Sequence, residues 1–249
     1  VGVAPQPAGQ QTMALATPEP PPAEKPQAEI KTFSFVPRIG IQAGGSVKMK
    51  GSCDGSSCET SSSDSSDADL KTAPAIGADF MFKLGDLFRI GPGLLHTFTT
   101  DVEAEGTSIE AGSLTEINFV AEVIPRVSPS VWLVPRLQTG LALFNASGPL
   151  KTSINSSKQD CTDLKDATSG SGTNISCSNF DNPHIGFDIG LGFGAMFAVT
   201  PSIRLRADVM YEYFESTLGK VEASGGGIDA TSTVKLAGDR YLLMAGMEI

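Results

Sequence analysis

From Lys31 onward the chain alternates with a period of two. Phe33, Phe35, Pro37, Ile39, Ile41, Ala43, Val47 and Met49 share one parity, while Ser34, Arg38, Gly40, Gln42, Gly44, Ser46 and Lys48 hold most of the other. Successive side chains of a strand point to opposite faces, so the pattern predicts a long strand with one apolar face. A helix would scatter the two sets around its circumference. The same alternation recurs over residues 76–84, 88–99, 116–123, 133–143, 184–197, 203–213 and 240–249. The pattern predicts eight strands and an all-β chain.

The connections sort the architectures. Strands join through short turns at Gly85-Asp86, Ser128-Pro129-Ser130 and Thr200-Pro201-Ser202, residue types that suit tight turns. The connections near 51–73, 101–112, 146–182 and 217–231 are long, polar and rich in Ser, Gly, Asp and Thr. Short turns at one end and long polar loops at the other predict an eight-stranded antiparallel up-and-down transmembrane β-barrel. A tilted strand crosses a bilayer in about 9–11 residues, the length of the apolar bands.

In such a barrel the apolar parity faces lipid, and its bands are nearly free of charge. The opposite parity carries both signs with glycines between them: Arg38, Asp79, Lys83, Arg89, Glu116, Glu122, Arg126, Arg136, Asp188, Arg204, Arg206, Asp208, Glu212, Arg240 and Glu248. Arginine–carboxylate pairs suit a narrow lumen that side chains must fill. A soluble barrel with its apolar parity inward, of the lipocalin type, is the competing arrangement.

Residues 1–30 read as a separate segment. They hold seven of the sixteen prolines, with Gln, Ala and Glu between them, and are expected to form an extended linker. A formal charge of -10 argues against a nucleic-acid partner, which requires a basic face. The domain reading is an arm over 1–30 and a barrel over 31–249.

The pattern over 31–249 resembles the small eight-stranded outer-membrane barrels of the OmpA and OmpX type. The resemblance rests on the strand count, the loop asymmetry and the alternating last strand, Tyr241-Leu242-Leu243-Met244-Ala245-Gly246-Met247-Glu248-Ile249. Those families usually end on an aromatic residue, and here Ile249 stands last. The resemblance implies the outer membrane of a Gram-negative bacterium, with both termini periplasmic and the long loops outside the cell.

Cys53 and Cys58 fall in the first long loop, Cys161 and Cys177 in the third. Four cysteines allow three pairings; local closure favours Cys53–Cys58 and Cys161–Cys177. Oxygen-rich residues over 51–69 lack the register of a Ca²⁺ loop. Both histidines lie elsewhere than in the cysteine pairs, His96 on the lipid parity and His184 at the lumen mouth. Thr97, which follows His96, points inward, so no sequence neighbour supplies a hydroxyl on the lipid face. No metal site, cofactor motif or catalytic constellation emerges. The expected function is structural: an anchor, or the outer-membrane component of an envelope assembly, with residues 5–30 binding a periplasmic protein partner. A narrow channel or transporter for small or hydrophobic compounds is the alternative, and an enzyme on the lipid face is less favoured.

Overall fold

The computed structural model describes residues 32–55, 58, 65–104 and 106–249. The expected arm over residues 1–30, and with it the partner-binding stretch 5–30, lies outside the described residues. Eleven strands and one helix follow in the order β1 (Phe33–Gly55), β2 (Ser65–Leu70), β3 (Ala73–Leu84), β4 (Phe88–Ala104), β5 (Thr107–Val123), β6 (Arg126–Ser128), β7 (Val131–Ala146), α1 (Gly148–Ala167), β8 (Thr173–Ser178), β9 (His184–Ala198), β10 (Arg204–Gly225) and β11 (Ile228–Glu248). Antiparallel pairings β1–β3–β4–β5–β7–β9–β10–β11 form a ring, and β11 closes it on β1, with Ile39 opposite Ala245. Closure leaves no free edge at this level, as a chain in hydrocarbon requires.

The ring is inside-out. Ile39, Phe80, Phe119, Leu141, Leu191, Phe193 and Val209 are among the large apolar residues exposed on its outer wall, while arginines and carboxylates are buried within. A continuous apolar surface of this extent is stable against lipid, not against water.

The walls extend well beyond a bilayer. β1, β10 and β11 have 23, 22 and 21 residues, about twice the ~10 that span the hydrocarbon. The connection expected as a loop over 217–231 is therefore largely a hairpin, turning at Gly226-Gly227. The 101–112 connection is likewise mostly strand. The 146–182 connection holds a 20-residue helix.

A bulge corrects the parity of the first strand. Gln42 faces Leu242 and Gly44 faces Tyr241, so Ala43 is an extra residue on β1. Gly44 and Gly45 take φ of 136° and 153° there, a conformation that a side chain disfavours. Above the bulge the faces exchange: Val47 is buried in the interior and Lys48 is exposed. Val47 and Met49, expected to face lipid with Phe33 and Ile39, instead face the barrel's interior.

At the long-loop end the ring is incomplete. β7 stops at Ala146, whereas β5 rises beside β4 to Thr107, and β8 pairs only with β10. Helix α1 lies in the resulting gap and touches both β5 and β8. Pro149 suits its first turn, and Leu150, Ile154 and Cys161 form its buried side. Disulfides join Cys53 to Cys58 and Cys161 to Cys177. The cysteines, expected in loops, sit partly in regular elements: Cys53 near the top of β1, Cys161 in α1 and Cys177 in β8. Reduction should therefore loosen α1 from β8 and leave the ring intact. Limited proteolysis should then cut within 148–167 faster, with the heat-modifiable gel mobility of the barrel unchanged; a lost mobility shift would refute this.

Candidate functional site: an apolar chamber above a charged plug

The lower lumen is filled by six arginines and seven carboxylates, none more than 4% exposed. At the short-turn end Glu248 pairs with Arg204 at 2.9 Å and with Arg89. Glu122 meets three arginines: Arg206 at 2.6 Å, Arg89 at 2.7 Å and Arg136 at 3.1 Å. Asp208 accepts from Arg206 at 2.7 and 2.8 Å. Asp79 joins Arg136 at 2.6 Å to Arg38 at 3.0 Å. Uppermost stands Arg240, paired with Glu212 and Glu116, each at 2.7 Å. Asp188 pairs with an amide: when the Asn118 nitrogen faces it, that nitrogen donates to both carboxylate oxygens at 2.8 and 3.0 Å.

These side chains come from the inward parity of all eight ring strands, so the network is complete only when the ring closes. Glycines opposite them leave the necessary room. A Cβ on Gly93 would lie 2.5 Å from Asp79 Oδ1, and one on Gly246 2.9 Å from Arg38 Cγ. Buried side chains fill this level of the lumen.

Two of the expected charges fall outside the plug. Lys83 reaches the short-turn rim and pairs with Asp86 at 3.6 Å; its flexible stem carries the ammonium to water. Arg126 closes the adjacent turn by donating to Ser128 O at 3.0 Å, and lies over Trp132 at 5.2 Å.

Above Arg240 the interior changes character. Val47, Leu70, Val102, Leu114, Phe144 and Leu236 line a cavity of ≈ 140 Å³, with Leu150 of α1 beside them. Its polar groups include Gln42, Thr97, Thr100 and Arg240. Arg240 donates to Thr97 Oγ1 at 2.8 Å, and its guanidinium also lies over Phe214 at 5.9 Å. Phe98, exposed on the outer wall, lines the same cavity. Beside it the β4–β5 ladder slips register, between Thr97 and Thr100 and again between Thr100 and Asp101.

This chamber is the feature that sequence reasoning missed, because much of its wall lies in stretches read as polar loops. Two signals point to it: the alternation of Ile109 with Ala111 in the second loop, and the four-residue spacing of Leu150 and Ile154. The histidines also differ from expectation in one respect. His96 Nδ1 lies 2.9 Å from Thr115 Oγ1, so the cross-strand partner supplies the hydroxyl that Thr97 does not. Among the described residues no carboxylate hydrogen-bonds to that imidazole. His184, at the mouth, has its Nδ1 3.0 Å from Asn179 O.

No family model matches the chain, and no curated protein matches it in sequence. Among solved structures it is similar to the outer membrane protein OprG of Pseudomonas aeruginosa, at 10% identity and a TM-score of 0.48, over 89% of this chain and 97% of that one. The outer membrane protein AlkL, determined in lipid bilayers, is 11% identical with a TM-score of 0.43, over 93% and 95% of the two chains. Neisserial surface protein A is 16% identical with a TM-score of 0.37, over 88% and 97%. At these identities and scores the likeness is confined to the course of the chain around a small barrel, and the chamber and plug carry the functional reading.

Proposed function

We propose that this protein is an outer-membrane barrel that takes small apolar molecules into a chamber at its long-loop end, with that end at the cell exterior and both termini periplasmic. The apolar cavity of ≈ 140 Å³ beneath α1 carries the reading. A dry, aliphatic- and aromatic-lined cavity of about 150 Å³ holds a guest the size of benzene. The plug below denies such a guest an axial route. Phe98 and the slipped β4–β5 ladder favour a sideways route to the lipid over a passage down the axis. The cavity favours this reading, the transport alternative, over a structural anchor.

Titrating toluene into the barrel in nanodiscs, against empty nanodiscs as the partition blank, tests the proposal. Saturable binding is expected for the native protein. Ala111, buried and on the chamber wall, becomes the filler in Ala111→Phe; that variant should keep the heat-modifiable mobility and lose the saturable component. Native protein that gives only the partition signal would sink the reading.

A further inference from the structure

Deepening that reading and resting on it, we infer that the chamber selects neutral monocyclic compounds bearing a hydroxyl group, held by Thr97 and Gln42 at its floor, over the corresponding carboxylates. The wall is apolar apart from Asp67, which is paired with Lys48 at 3.2 Å; the other polar groups stand at the floor. Thr97 is 1% exposed and accepts a hydrogen bond from Arg240 Nη1 at 2.8 Å. No protein acceptor takes its own hydroxyl proton among the described residues. Accepting from a cation polarises that hydroxyl and strengthens what it donates. Gln42, equally buried, spends its amide nitrogen on Lys71 O at 3.0 Å and receives only a long 3.4 Å contact from Arg240 on its oxygen. Thr100 is already committed, donating to Lys71 O at 3.0 Å. The floor therefore offers one donor and one under-used acceptor side by side. A ligand hydroxyl accepts from Thr97 and donates to Gln42 Oε1, and both of its polar functions are met.

Charge sets the second half of the selection. Immediately below the floor, Arg240 faces two paired carboxylates, Glu116 and Glu212, and Asp188 lies on the same level without an arginine hydrogen bond. Arg240 donates to Glu212, Thr97 and Gln42 and stands 2.7 Å from Glu116, so its guanidinium is already committed. An anionic head would be desolvated there, and the one cation lining the chamber, Arg240, is already paired. A neutral hydroxyl meets no such opposition.

Toluene and phenol are close isosteres, and benzoate adds the charge, so these three probes at pH 7 separate the contributions. Native protein in nanodiscs is expected to bind toluene and phenol saturably and benzoate not at all. Thr97→Val should shift the phenol-to-toluene affinity ratio against phenol by about two- to tenfold, and Thr97→Ser should keep the native ratio. Failure of toluene to bind would overturn the chamber itself. Toluene binding with benzoate bound as tightly as phenol, or with a ratio indifferent to Thr97→Val, would overturn the selection while leaving the chamber in place. If Thr97→Val does not fold, the native benzoate measurement and the Thr97→Ser ratio still decide, because a serine variant that loses phenol preference contradicts the hydroxyl's role.

Discussion

Glu122→Gln should destabilise the barrel by about 3–5 kcal/mol, the cost of breaking a buried ion network by removing one charge. Glu122 is the carboxylate on which Arg89, Arg136 and Arg206 converge, at 2.6–3.1 Å. Glutamine preserves the volume and one acceptor oxygen but leaves three buried, neighbouring guanidinium groups without the charge they share. Asp79 and Glu248 keep both of their arginines and Asp208 keeps Arg206, so the loss is concentrated on the charge that the three arginines share at Glu122. Urea unfolding in lipid vesicles, followed by gel mobility, measures it. A shift below about 0.5 kcal/mol, the size typical of a surface substitution, would mean that the lumen is hydrated and that the buried network does not behave as one unit.

Leu191→Arg should cost about 2–4 kcal/mol when the barrel folds into vesicles, against about 0–1 kcal/mol for Val199→Arg. Both residues are exposed, at 63% and 60%, so a water-facing wall would treat them alike. Leu191 lies between Leu137 and Tyr211 in the middle of the wall, whereas Val199 starts the short turn after β9. The difference between the two variants is the measurement, because it cancels the intrinsic effect of arginine and reports depth alone. Equal, small costs would return the chain to the soluble-barrel arrangement.

Strand type and the inward parity of charge are legible in the chain because they are local. Alternation over ten residues assigns a face to every position, and turn chemistry at Gly85, Pro129 and Pro201 distinguishes one end of the barrel from the other. The lumen residues from Arg38 to Arg240 could be selected in this way before any contact was known. Which arginine meets which carboxylate could not, since Glu122 and Arg206 lie 84 positions apart and meet across the lumen, where register and tilt rather than sequence distance set the approach.

The chamber depended on tertiary structure for a different reason. A single extra residue, Ala43, exchanges the two faces of β1 and turns Val47 and Met49 inward, an inversion that period-two counting carries straight past. The polar stretch after Ala146 becomes a helix because the ring is open between β5 and β8 and an apolar stripe of Leu150 and Ile154 can be buried there. The sequence by itself determined a membrane-facing wall and a charged interior, because both follow from alternation and from the cost of placing charge in lipid. Only the folded chain decided that the upper interior is apolar and closed by a helix, because that void exists where strands of unequal length leave a gap that no local pattern encodes.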